Sequence, residues 1–294
     1  MDSNMTSENR ELGGCSLHRL VSRPVVILSL GAGVQSSTLA LMAATGETKD
    51  KLTAAIFADT QAEPSSVYRW LDWLEAEIQR SPYPFPVYRV TAGDLAEEST
   101  RLRVSKKTGL PYLGHNVPAY TINADGSLGH NYRICTDKHK LAVLRKQINK
   151  LRGKGKATVW IGISRDEVIR MKPSNHSMIV HEWPLVDANM KRTDCLAWMQ
   201  SHNYATPPRS ACTFCPYHSD KEWQRLKTEE PDAFASAVAY ERRLQAAIKG
   251  VPRMTGTPYL HNSRVPLDTV DFTAKEKAEH PDLFGNECQG LCGV

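Results

Sequence analysis

"VVILSLGAGVQSSTLALMAA", residues 25–44, sets an apolar run against a knot of small residues. Val, Val, Ile and Leu fill 25–28. Ser29, Gly31, Ala32, Gly33, Ser36, Ser37 and Thr38 follow, before an apolar stripe resumes at Leu39 and Leu41. Strand, glycine-bearing turn, helix is the order in which a parallel α/β sheet presents backbone N–H groups at a helix N-terminus, where an anion is favoured. The turn lacks the Lys of a Walker loop and the full G-x-G-x-x-G, so neither of those phosphate grips is present. Small residues at such a place also serve a tight turn for purely structural reasons.

Further apolar, β-branched runs lie at 53–58, 85–90 and 157–163, and helix-like stretches at 37–45, 64–80 and 137–152. Pro64 opens the second of these helices, where a missing N–H costs nothing. Strands separated by helix-length pieces predict βαβ units and a parallel sheet. Polar clusters follow the strands. Asp59 and Thr60 stand just past the second, ahead of Glu63-Pro64, where they suit a ligand site or a helix cap. The fourth ends in "WIGISRDEVIR" (160–170), in which Arg165 can grip phosphate in a bidentate manner while Asp166 and Glu167 hold Arg170 or a metal.

The chain of 294 residues is 41% hydrophobic and 23% charged, with a formal charge of +5, as for a globular protein with a mild lean toward polyanions. No apolar run approaches the roughly 20 residues of a membrane span. Residues 1–22 are polar and read as a flexible lead-in. An α/β domain is expected over 23–217, and a helical region ending in an irregular tail over 218–294. Residues 93–132, rich in Gly, Pro, Asn, Lys and Tyr, predict a long functional loop with a small hairpin around "NADGS", or a lid. "RLRVSKK" (101–107), followed by Tyr112, His115 and Tyr120, mixes cations with rings, as a nucleic-acid groove or an ordinary solvated loop does.

Seven cysteines without a secretion signal point to a reducing, cytoplasmic setting, in which grouped cysteines bind metal or do redox work. Cys212 and Cys215 form "CTFC", a short chelating pair. Cys135 opens "CTDKHK", where Lys138, His139 and Lys140 would lower a thiolate pKa or clamp a phosphate. Cys288 and Cys292 end the chain in "ECQGLCGV". Cys195, among Leu196, Trp198 and Met199, reads as a buried thiol, and Cys15 receives no role.

Six segments in order resemble the phosphoadenylyl-sulfate (PAPS) reductase family, within the adenine nucleotide alpha-hydrolase or PP-loop superfamily. "SLGAGVQSS" resembles its phosphate loop, "FADTQAEP" its D-T-x-x-E-P-like turn, and "RICTDKHK" its cysteine-plus-lysine segment. "WIGISRDEVIR" resembles its W-x-x-G-x-R-x-x-x-x-R-like strand end, "WPLVDANMKRTDCLAWMQSHNYATPP" its P-L-x-x-W-x-x-x-D connector, and "SACTFC" its late C-x-x-C. The resemblance spans residues about 24–217 and is nearest to short, phage-type members. In the loop S-G-G-x-D-S, Gly31 stands in place of the Ser, Ala32 of a Gly and Gln35 of the Asp, with Gly33 and Ser36 retained.

The resemblance implies a Rossmann-like adenine nucleotide alpha-hydrolase fold: a parallel twisted sheet flanked by helices, with a helical C-terminal appendage and a cysteine-bearing tail. It implies an adenine nucleotide, ATP or a relative, on Ser29, Gly31, Gly33, Ser36, Ser37, Asp59, Gly162 and Arg165, and chemistry by Asp59, Lys140, Arg165 and Cys292. Magnesium would pass from the missing loop acid to Asp59 or Glu63. Cys135, Cys212, Cys215 and Cys288 would ligate a [4Fe–4S] cluster, as in cluster-bearing members, with zinc as the alternative.

The expected activity is that of an ATP pyrophosphatase: adenylation coupled to sulfur transfer. A nucleic acid or small molecule would be the acceptor, as in DNA phosphorothioation and tRNA thiolation, and a cysteine desulfurase or thiol reductant the sulfur partner. A homodimer is compatible with this. The alternative is reduction of PAPS or adenylyl sulfate by a tail thiol. Glu287-Cys288 resembles the start of the reductases' E-C-G-x-H, but Gln289 and Gly290 follow. A third class is a metal-stabilised nucleotide- or nucleic-acid-binding accessory protein without turnover, suggested by Gly31 and Gln35.

Overall fold

The apolar runs become central strands because both of their faces are covered. The computed structural model describes residues 25–113, 117–131, 134–252, 254 and 256–273. In chain order it begins with β1 (Val25–Leu30), α1 (Val34–Thr45), β2 (Ala54–Asp59), α2 (Ser65–Arg80), β3 (Val87–Thr91) and α3 (Leu95–Thr100). Short strands β4 (Leu102–Val104), β5 (Pro111–Leu113), β6 (Tyr120–Ile122) and β7 (Leu128–His130) follow. A π-helical stretch (Thr136–Leu141) then runs into α4 (Ala142–Arg152) and β8 (Ala157–Ile161). After a 3-10 turn (Arg165–Arg170) come β9 (Ile179–Glu182), α5 (Pro184–Asp187), α6 (Arg192–Ser201), α7 (Asp220–Glu229), α8 (Pro231–Lys249) and β10 (Thr257–Tyr259).

The main sheet has the order β3-β2-β1-β8-β9 and every pairing in it is parallel. Side chains alternate across it with period two. Val26, Leu28 and Leu30 of β1, Ala55 and Phe57 of β2 and Trp160 of β8 pack into one core with α1, α2 and α6. Ile27, Ile56, Val159 and Ile161 face the opposite way, onto Leu141, Leu144 and Ile148 at α4. A parallel sheet covered on both faces needs such unbroken apolar runs. This is the expected α/β class, with a helix-flanked parallel sheet.

From β1 the chain steps outward to β2 and β3, then crosses back to lay β8 and β9 on the other side. The reversal falls between β1 and β8, and beyond the carboxyl ends of such neighbours an open sheet binds its ligands. β9 was not among the expected strands. Its four residues, IVHE, are too few to register as a periodic run.

A further core joins α7 and α8 to Leu95, Leu113, Val117, Cys212, Phe214 and Cys215. β10 pairs with β6, and β6 with β7 in the hairpin expected around "NADGS". Segments on both sides of residue 217 therefore share one packing. Among the described residues no helix is long and apolar enough to cross a membrane. The lead-in (1–22), Cys15, His115, and the tail bearing Cys288 and Cys292 lie outside the described residues.

One close approach locks the two halves of the sheet at the reversal. A Cβ on Gly162, just past β8, would stand 2.9 Å from both the N and the Cα of Ser36 in the first turn of α1. Gly162→Ala is therefore expected to cost about 1–3 kcal/mol, read as a lower urea midpoint at unchanged m-value. Gly33→Ala, where the added atom meets nothing within 4 Å, should cost less than about 1 kcal/mol.

Candidate functional site

The turns after β1 and β8 floor a crevice of about 630 Å³, lined there by Gly31, Gly33, Val34, Gln35, Ser36 and Gly162. The loop is held from within: Gly31 N–H donates to Ser36 Oγ at 3.1 Å, and Ser37 N–H closes the first helical turn onto the Gly33 carbonyl at 3.0 Å. Ala32 adopts φ +59°, a left-handed conformation that a residue with a Cβ takes up only at a cost, as functional loops often do. Gly33 caps α1 without a side chain, leaving the first-turn N–H groups and the positive end of the helix dipole at the crevice floor.

Gln35, 4% exposed, is a hub at this floor. Its amide nitrogen donates to Glu167 Oε2 (3.1 Å) and Ser164 Oγ (3.4 Å), and its oxygen accepts from Arg192 Nη1 (2.9 Å). Glu167 holds Arg170 at 2.9 Å, while Asp166 accepts from Ser164 Oγ (2.6 Å) and from the Arg192 backbone N–H (3.1 Å). A carboxylate in place of Gln35 could not donate to Glu167. The amide thus sets the Arg170 and Arg192 guanidinium groups at the crevice, and Arg209 joins them.

Arg165, the expected phosphate grip, is exposed and does not line the crevice. The 3-10 turn delivers Arg170 instead. Asp59 also lies off the crevice lining, accepting from Tyr68 OH (2.8 Å) and Gln61 N–H (2.7 Å). Ser29 is buried within β1, and Ser37 accepts from Trp70 Nε1 at 2.9 Å. Both shape the loop without lining the crevice. Gly31, Gly33, Ser36 and Gly162 do line it. Arg192 and Arg209 were not expected here. They arrive from distant segments with no local pattern to mark them.

Cys135, Cys212 and Cys215 line one small cavity of about 20 Å³, together with Thr60, Lys140 and apolar walls that include Leu95, Val117 and Phe214. Cys135 directly precedes the π-helical stretch, whose wider turn brings Lys140 to the cavity, a device frequent at functional sites. Lys140 Nζ stands 3.9 Å from Glu63 Oε1, both side chains buried, and Glu63 Oε2 accepts from Ser210 Oγ at 3.1 Å. Thr60 Oγ1 and Cys212 Sγ are 3.2 Å apart. Pro208 to Ala211 line the crevice, and Cys212 with 214–217 lines the cavity, so one continuous segment walls both. Thr213 N–H fastens that segment to the Ala62 carbonyl at 2.8 Å.

The far wall of the crevice is α7, contributing Lys221, Arg225 and Thr228. Arg225 pairs with Glu222 (2.7 Å), Glu229 (3.6 Å) and Glu230 (2.8 Å). Glu230 in turn accepts from Ser66 Oγ (2.9 Å) and Ser66 N–H (3.3 Å) at the start of α2.

A sulfur-ligated centre asks for about four donors. Three of the expected thiols gather here, and the fourth, Cys288, is outside the described residues. The donor chemistry fits a soft metal or an iron–sulfur cluster. Among the described residues, no group of three or more His, Cys, Asp or Glu side chains is spaced to hold a metal ion. The cavity has room for about one water, enough for a single ion, whereas a four-iron cluster would require its walls to part. Magnesium fares differently. It needs open carboxylate oxygens, but Asp59 and Glu63 do not line the crevice, and Glu222 and Glu229, which do, both pair with Arg225. The described residues do not fit the expected magnesium site.

Cys195 is fully buried in the first core, and burial, with Asp166 and Asp194 nearby, pushes its thiol pKa up to about 12. The sequence matches no family model and no curated protein.

His218 closes the C-x-x-C turn. It is buried, its Nε2 lies 3.0 Å from the Cys212 carbonyl, and its ring meets Trp223 edge-on. Burial, reinforced by the Arg209 charge, pushes its pKa down to about 3. An imidazole depressed in the fold binds its proton more readily when unfolded. Its contribution to stability is full above the unfolded pKa near 6.5 and is lost as pH falls toward 3. His218→Gln is expected to flatten the stability–pH slope between pH 6.5 and 4 by up to about 1.4 kcal/mol per unit. Urea unfolding at pH 7, 5.5 and 4.5 measures this, and an unchanged slope would contradict a buried neutral imidazole.

Proposed function

We propose that the crevice binds an adenine nucleotide and that the adjoining cysteine cavity carries sulfur chemistry dependent on it, within the adenine nucleotide alpha-hydrolase fold that the sequence resembles. The observation that carries this reading is the shared wall: segment 208–217 borders the phosphate-suited crevice on one side and three thiols on the other.

In the leading form of the reaction an acceptor oxygen attacks the α-phosphorus of ATP, the α–β bridging bond breaks, and pyrophosphate leaves. A sulfur nucleophile then displaces AMP from the activated acceptor. First-turn N–H groups of α1 and the guanidinium groups of Arg170, Arg192 and Arg209 would take up the phosphate charge. Lys140 would favour thiolate at Cys135, Cys212 and Cys215. A metal held by these three residues and Cys288 would position or supply the sulfur.

A second reading, reduction of PAPS or adenylyl sulfate to sulfite, draws on a specific feature. Arg170, Arg192, Arg209 and Lys221 bring cations to the crevice while its carboxylates are paired with Arg225, a setting suited to a nucleotide bound without a divalent ion. Calorimetry with ATP is expected to give binding that Arg192→Ala weakens at least tenfold. Pyrophosphate release from ATP with a thiol donor supports the first form. Sulfite release from PAPS with a thiol reductant supports the second, and tight binding without either supports an accessory protein. No binding of any adenine nucleotide would overturn all three. Iron, sulfide and zinc analysis after anaerobic purification identifies the metal, which Cys212→Ser should lose.

A further inference from the structure

β4 and β5 form an antiparallel ribbon that pairs with no third strand among the described residues. Its register sets Leu102 opposite Leu113, Arg103 opposite Tyr112 and Val104 opposite Pro111. Directly opposed side chains share a face, so Arg103 and Tyr112 lie together on one side and the aliphatic residues on the other. Leu113 anchors the foot in the core that holds Cys212 and Cys215. The outer part is bare, with Val104 68% exposed, Tyr112 42% and Leu110 39%, and even Leu102 at the foot is 48% exposed. A two-stranded ribbon gains little from its own folding in water, and apolar surface displayed on one marks a contact site.

The charge of the ribbon says what it contacts. Residues 101–113 carry Arg101, Arg103, Lys106 and Lys107 and no acid. The acids nearest in the chain are Glu97 and Glu98 of α3. Glu98 uses one oxygen on Arg101 at 2.7 Å and the other on Arg103, holding the Arg103 guanidinium in place on the Tyr112 face. Lys106 and Lys107 stand exposed in the turn, which Gly109, at φ +67°, helps to close. An exposed ring beside an oriented guanidinium, with ammonium groups at the tip, suits a flexible polyanion whose bases are free to stack.

We propose that this ribbon is a binding arm for single-stranded nucleic acid, with Tyr112 stacking on a base and Lys106 and Lys107 on phosphates. Val117 and Pro118, a few residues beyond Leu113 in the chain, line the cysteine cavity. The arm is independent of whether the crevice takes an adenine nucleotide.

The test is fluorescence anisotropy of labelled 15-mer DNA and RNA single strands with the full chain at several salt concentrations. Binding is expected at 50 mM salt. Lys106→Gln with Lys107→Gln should lower the slope of log K against log salt by about 1.4, and Tyr112→Ala should weaken binding at least fivefold at unchanged slope. All these positions are exposed, so the unfolding midpoint should stay put, and ATP calorimetry on the same samples reports on the crevice separately. Comparison of the two sugars identifies the preferred strand. The proposal is overturned if wild type binds neither strand, or if both variants bind as wild type does. It is equally overturned if light scattering gives a dimer that Val104→Lys breaks while no oligonucleotide binds, which would assign the ribbon to a second copy.

Discussion

The backbone of Ser36 lies against Gly162 with no room for a methyl group between them, and the rest of the site is arranged around that contact. It sits where the strand order reverses, between β1 and β8, so it joins the first turn of α1 to the turn that follows β8. With those two turns touching, Gln35 comes within reach of Ser164 and Glu167 and can accept from Arg192. The positions of Arg192 and Arg170, more than 130 residues from the loop in sequence, thus follow from one steric allowance. A larger residue at 162 would disturb the hydrogen-bonded hub before it disturbed the sheet.

The second dependence runs through the polar chain between crevice and cavity. Buried Lys140 and Glu63, with Ser210 at the crevice, form a relay of charge and hydrogen bond, and Thr213 stitches the cysteine turn to the residue before Glu63. Burying an ammonium and a carboxylate is costly unless they stay together. The cysteine wall and the turn after β2 are therefore tied electrostatically as well as by packing.

Much of the fold was legible because strands covered on both faces are written as unbroken apolar runs, and Pro64 and the small-residue turn punctuate them. The extra strand β9 was not, since four residues carry no period. In the site, the resemblance named Gly31, Gly33, Ser36 and Gly162, which line the crevice, and set Cys135 beside Cys212 and Cys215, which line one cavity. Arg165 opens the 3-10 turn and stays off the crevice lining while Arg170 at its end reaches it, a difference that a few residues of irregular helix do not reveal in sequence. Arg192 and Arg209 come from remote segments, so nothing local announces them. Gln35 read as the loss of an acid, and its use as a two-way hydrogen-bond junction needed the partners in view.

Glu230 is the feature with the widest reach. The near wall of the crevice belongs to the packing around α1, the far wall to that around α7 and α8. The Glu230 carboxylate spans the two, its Oε1 accepting from both Ser66 Oγ and Arg225 Nη1 and its Oε2 from the Ser66 N–H. The crevice therefore behaves as a calliper with its screw tightened. Widening it means breaking the two hydrogen bonds that Ser66 donates to a carboxylate already held by Arg225.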